Sequence, residues 1–487
     1  DNVTVNPAPN GDKPTLNPDG TVTVPNGGTV TPGNGQPVTV PNGSTVNPDG
    51  TVNTPNNGVV KPNPDGTITL PGADNNIKDP ADNPIVAPKP GATQKPTINN
   101  DGSVTLPEGG TVTLPGKDPI EAPNGSTVLP DGSIIGPNGQ KVNPDGTITL
   151  PGADGDINKD QDNPTVTPKP GATQKPQLNE DGSVTLPEGG TVTLPNGQQV
   201  TVPAGGTVKP DGTITVPGAD NTPGNDDDVT VKPTPEGGIT VPGADGDINT
   251  PNDNVTVNPA PNGDKPTLNP DGTVTVPNGG TVTPGNGEPV TVPNGSTVNP
   301  DGTVITPEGD VINPDGTVTK PGADGKPGTK DDVTVKPNPD GTITLPGADN
   351  NINTPEDNPT VTPKPNGTQK PTINPDGSVT LPEGGTVTLP GKDPVDVPAG
   401  GTVKPDGTIV DKDGNTINPD GTVTTPGADG KPGTKDDVTV KPNPDGTITL
   451  PGADNNINTP EDNVTVTPNP NGTQKPTINP DGSVTLP

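Results

Sequence analysis

Phenylalanine, tyrosine, tryptophan, methionine, cysteine and histidine are all missing from this chain, and every positive charge is a lysine because arginine is missing too. Each absence excludes something. Without aromatics or methionine, and with Ile, Val and Leu together below the roughly 20 % under which chains fail to collapse, a thick hydrophobic core cannot form. Without His, Cys or Tyr there is no group poised near neutral pH and no base to activate the few serines, such as Ser44, Ser103, Ser126 and Ser133, so an enzyme is not expected. Without cysteine there are no disulfides, thiol chemistry or cysteine zinc sites. No apolar run approaches the length of a membrane span.

What is present is equally biased. The 487 residues include 69 glycines and 79 prolines and carry a net charge of −34, which repels nucleic acid and anionic membrane surfaces. A proline about every six residues forbids helices, since each interior proline costs about 3 kcal/mol, and limits strands to about five residues because proline cannot donate to a ladder.

Against this background two levels of repetition organise the chain. At the fine level, Asn-Pro-Asp-Gly occurs twelve times, first at Asn17 and last at Asn479. Asn opens the turn, Pro fixes φ, Asp accepts the bridge region and Gly supplies a positive φ. Between the turns lie short alternating segments: "TVTVP" from Thr21, "TITLP" from Thr67, "TVTLP" from Thr111 and "TITVP" from Thr213. Their period of two puts Val22 and Val24, Ile68 and Leu70, or Val112 and Leu114 on one face and a comb of threonines on the other. Strand-ending Pro25, Pro71, Pro115 and Pro217 follow. At the coarse level, cassettes recur at unequal offsets: 1–52 as 253–304, 63–115 as 143–195, and 321–382 as 426–487. The whole of 1–487 therefore reads as one continuous repeat array, opening at Asp1 and closing at Pro487 like a segment of a longer one.

An all-β, elongated repeat protein follows. The arrangement expected first is a narrow β-solenoid, a β-roll-like stack of short strands and tight turns with Val, Ile and Leu as a thin spine. A single-layer β-hairpin ribbon and a largely disordered, polyproline-like chain are the alternatives.

The one chemistry the composition leaves open is hard-oxygen binding of calcium. The candidate ligands lie in "GADGKPGTKDD" around Asp324, Asp331 and Asp332, in its copy around Asp429, Asp436 and Asp437, and in "NDDD" at Asp226, Asp227 and Asp228. "GADGDIN" offers Asp154 and Asp156, or Asp245 and Asp247. None has the spacing of an EF-hand, and the plainer reading is a set of solvated acidic turns. No other cofactor and no small-molecule substrate is expected. The threonine comb suggests an ice-binding surface as a further alternative, but inserts such as "PGADNNIKDPADNP" from Pro71 interrupt any lattice match.

Shuffled near-identical cassettes, Pro/Gly/Thr/Asp richness, acidity and missing aromatics together resemble the repetitive stalk regions of bacterial cell-surface proteins, particularly Gram-positive adhesins. "PGADGKPGTKDDVTV" is similar to acidic connectors in such proteins, although no "LPxTG" sorting signal is present; "TLPGKD" and "TLPEGG" depart from it. The resemblance implies an extracellular, cell-surface location and a structural job as a stiff, hydrated, protease-resistant stalk. A self-assembling filament with calcium-stabilised loops is the second expectation, with other copies of the chain as partners.

Overall fold

Asn63-Pro64-Asp65-Gly66 shows how the chain turns. The Gly66 amide donates to Asn63 O at 3.0 Å and the Asn63 amide donates to Thr67 O at 2.8 Å, while Gly66 sits at φ 87°. A type I turn followed by a left-handed glycine is a three-residue hairpin loop closed by a bulge, whose twist matches the flanking strands. Side chains brace it. Asp65 accepts from the Thr67 amide at 3.0 Å and the Thr67 hydroxyl at 2.7 Å, and Asn63 Nδ2 donates to the hydroxyls of Thr67 and Thr69 at 3.0 and 2.9 Å. The same pattern recurs at Asn17, Asn143, Asn338 and Asn443.

The computed structural model describes residues 2–159, 161–285, 289–468, 476–479 and 481–486. Among them there is no helix, and strands run from two to five residues. Val24, Ile68, Leu70 and Val112 are 0 % exposed and Leu114 is buried. The aliphatic face therefore points inward as the period-two pattern requires, and the threonine face is half exposed.

Among the described residues the pairing between strands is antiparallel, apart from one parallel bridge between Thr97 and Thr39. Parallel coil-on-coil ladders, which a narrow solenoid needs, are not found among the described residues. The pairings are those of hairpin ribbons, because each tight Asp-Gly turn reverses the chain onto its neighbour within a few residues. The chain divides into two compact units, Asp1–Pro277 and Asn278–Pro487.

Within the first unit, one ribbon runs from Thr15–Leu16 to Ile120–Ala122. It is not sequential at its end. After Ile85–Pro88 the chain crosses through residues 89–96 to begin another ribbon with the hairpin Thr97–Ile98 and Val104–Leu106. It then returns to lay Gly110–Thr113 against Ile85–Pro88, adds Ile120–Ala122, and goes back to place Ser126–Val128 beside Val104–Leu106. This ribbon is thus closed by a hairpin delivered after its successor has started. The same handover joins Thr165–Pro168 to Gly190–Thr193, Val3–Pro7 to Gly28–Pro32 and, in the second unit, Thr360–Pro363 to Gly385–Thr388.

Handovers give the thin core its second layer. In the second unit Val335, Ile343, Leu345, Val361, Val387 and Val397 of one ribbon share a buried cluster with Val379, Leu381, Val403 and Ile409 of the next. Fully burying such a side chain contributes about 1.5–3 kcal/mol. Handover by handover, the core is built where one ribbon ends and another begins.

Candidate functional site

The acidic loops are ordered by their own backbones. In the loop after Pro321, the amides of Ala323 and Asp324 donate to Asp331 Oδ2 at 2.7 and 3.1 Å, the Lys326 amide donates to Asp324 Oδ1 at 2.8 Å, and the Gly328 amide donates to Asp332 Oδ2 at 2.6 Å. Gly322 must be glycine here, since at φ 65° a Cβ would stand 2.4 Å from Asp331 O. The structure therefore brings Asp324, Asp331 and Asp332 together, and it repeats the arrangement with Asp429, Asp436 and Asp437.

Their remaining oxygens converge on a threonine. Around Thr329 Oγ1 lie Asp331 Oδ1 at 2.8 Å, Asp332 Oδ1 at 3.1 Å, Asp324 Oδ1 at 3.3 Å and the Lys326 carbonyl at 3.1 Å. Thr434 stands in the same position among Asp436, Asp437, Asp429 and Lys431. One hydroxyl proton satisfies one acceptor at a time. The Thr329 hydroxyl, then the Asp324 amide, hold the Asp331 carboxyl below its ordinary range, and Thr434 and the Asp429 amide do so for Asp436. Among the described residues no group of three or more acidic side chains is already set as a metal cage.

The third candidate is looser. Asp227 accepts from the Asp220 amide and Asp228 from the Gly224 amide, whereas Asp226 is exposed. In "GADGDIN" a lysine takes the threonine's place: Lys159 Nζ lies 3.0 Å from Asp154 and 3.4 Å from Asp156. In the copy at Asp245 the hydroxyl of Thr250 bonds Asp245, and the Asp247 carboxylate accepts from the Asn249 amide at 3.0 Å.

The threonine comb forms ladders of hydroxyls. Thr105 pairs with Thr127 at 3.2 Å, Thr185 with Thr207 at 2.8 Å, and Thr380 with Thr402 at 2.9 Å. Ile135 and Lys141 interrupt the row that starts at Thr97, so the rows are short.

Sequence reasoning missed a further carboxylate. Glu108 Oε1 accepts from the Thr93 amide at 2.9 Å, the Thr93 hydroxyl at 2.6 Å and the Gln94 amide at 2.7 Å, clamping the crossover segment of the handover. Glu188 and Glu383 clamp Thr173 and Thr368 identically. The available signal was that "PEGG" follows the "TQKP" at Thr93, Thr173 and Thr368.

Turn carboxylates make stability pH-dependent. Asp19, Asp65, Asp340 and Asp445 are all held below their ordinary value of 3.8, first by the hydroxyl of the following threonine and then by its amide. A carboxyl depressed in the folded state stabilises the fold above its unfolded pKa, and that contribution is lost as pH falls through the folded value. The melting temperature is therefore expected to hold from neutrality to about pH 4 and to fall on further acidification. A melting temperature that rises below pH 4 would contradict this origin.

No family model and no curated protein matches the chain. Among solved structures, the TCP10 domain of Danio rerio CPAP, in complex with a peptide of Danio rerio STIL, aligns over 56 % of this chain and 95 % of its own, at 16 % identity and a TM-score of 0.13. A mutant of the same domain aligns over 47 % and 92 %, at 18 % identity and a TM-score of 0.12. A catalytically inactive virginiamycin B lyase from Staphylococcus aureus aligns over 62 % and 94 %, at 14 % identity and a TM-score of 0.11. At such TM-scores none of these alignments assigns a fold or a function.

Proposed function

We propose that the chain is a structural extracellular repeat protein, a stiff, acidic, protease-resistant stalk or filament at a bacterial cell surface. The observation that carries this reading is the recurring handover, which continues one ribbon into the next and can be repeated without limit. A scaffold of this kind extends by adding cassettes, with no need for a thick core. Missing aromatics and arginine leave few cleavage sites, and lysines such as Lys89 and Lys95 are followed directly by proline. Native protein is expected to survive trypsin and chymotrypsin under conditions that degrade a chain unfolded in urea. Electron microscopy is expected to show rods whose length grows with the number of cassettes. Flexible coils, or rapid cleavage of native protein, would end this proposal.

A second reading adds calcium to the same scaffold. Four oxygens crowding one hydroxyl at Thr329, and again at Thr434, favour it, because a divalent cation neutralises several acceptors that a single proton cannot. Thermal melting with calcium and with EDTA decides: a melting temperature several degrees lower in EDTA supports calcium, and superimposable curves reject it.

A further inference from the structure

We propose that each handover is an exchange point at which a second copy of this chain supplies the returning hairpin, so that copies join by trading identical strands. The proposal deepens the structural-fibre reading and rests on it for its biological setting. Three observations carry it.

First, the closing strand is interchangeable. "SVTLPEGGTVTLP" occurs without change at 103–115, 183–195 and 378–390. The pairings it makes are also alike: Val86 with Val112, Val166 with Val192, and Val361 with Val387. A strand from another copy offers Ile85–Pro88 the same face and the same register.

Second, the connection that must open lies largely at the surface, with residues 89–91 and 93–95 exposed. Residues 89–96 bridge the two ribbons, and an extended segment of that length reaches roughly 25 Å. Within it Gly91 has nothing within 4 Å of an added Cβ. Swapping through a segment of this kind joins copies at low cost, because every native contact outside the opened segment is re-made between molecules.

Third, a dedicated clamp holds the segment closed. Glu108 fixes Thr93 and Gln94 through three hydrogen bonds, and the Lys89 amide donates to Gly109 O at 3.1 Å. In the first handover Asn26 stands in for the glutamate and accepts from the Asp12 amide. The clamp ties the crossover to the returning hairpin of its own copy, so its strength sets how readily the exchange occurs.

The test uses the absence of native cysteine. Ala87 and Thr111 are cross-strand partners. Full-length chains carrying only Ala87→Cys and only Thr111→Cys are unfolded together, refolded as a concentrated mixture and oxidised. The double variant Ala87→Cys/Thr111→Cys, refolded dilute, establishes that the pair closes within one chain. A disulfide-linked heterodimer is expected from the co-refolded mixture and not from chains folded separately before mixing. Adding Glu108→Gln, Glu188→Gln and Glu383→Gln is expected to raise its yield several-fold. If the double variant closes internally while the mixture gives no heterodimer at any concentration, the exchange is overturned. The rods sought by electron microscopy would survive that result, so the two failures are distinguishable.

Discussion

Replacing Gly190 by alanine is expected to unlatch the strand Gly190–Thr193 from Thr165–Pro168 and to cost about 3 kcal/mol or more. Gly190 lies opposite Pro168 in the ladder, and a Cβ there would stand 2.3 Å from Thr167 O. The obstacle is backbone already held in the ladder, so neither side can move away without breaking pairs. The requirement recurs at Gly28, Gly110 and Gly385, where a Cβ would lie 2.0, 2.1 and 2.2 Å from the carbonyls of Asn6, Ala87 and Thr362. A nearby glycine supplies the control. At Gly206 the close atom is a Val202 methyl, 2.6 Å away, and Ser44 and Ser126 occupy the corresponding position, fully buried. Gly206→Ser is therefore expected to change stability by less than about 1 kcal/mol. Amide exchange in the strands around Val166 and Val192, with thermal melting, reads both. Equal protection in Gly190→Ala and the native chain would show that the carbonyl contact does not decide the pairing.

Leu381→Ala is expected to destabilise the second unit by about 2–5 kcal/mol. Leu381 is 1 % exposed and sits in the cluster where two ribbons meet. In a core only two layers of short aliphatic side chains deep, the β-branched neighbours collapse poorly into the cavity. Leu16→Ala serves as the comparison, since Leu16 is 72 % exposed and its loss is expected to stay within about 0.5 kcal/mol. Urea unfolding followed by circular dichroism, with exchange measured at residues 335–417, checks the pair. A Leu381→Ala midpoint equal to that of Leu16→Ala would mean that the cluster does not hold the ribbons together.

Local structure was legible in the residues and partner choice was not. Asn63, Pro64, Asp65 and Gly66 specify their turn by chain geometry alone, and the alternation of Thr67 to Leu70 specifies which face is buried. Nothing in "TVT" says which other "TVT" it will meet, because all present the same faces. That choice rests on steric and polar details outside the strand: a glycine able to sit beneath a carbonyl, and a glutamate reaching back to Thr93. Coils and ribbons satisfy the strand pattern alike, so this degeneracy leaves the choice between them open. At the candidate site the clustering of Asp324, Asp331 and Asp332 was readable from spacing. That their oxygens would surround Thr329 was not, since it depends on how the loop folds back on its own amides.

The handover also bears on how such a chain reaches its native state. Its long-range pairings are still close in sequence, as with Thr105 and Thr127, 22 positions apart, so each ribbon is complete soon after its last strand leaves the ribosome. Low contact order of this kind favours fast, vectorial folding from the N-terminus. Inserting or deleting a whole cassette then leaves the folding route of its neighbours intact, which makes length the property most easily altered by recombination.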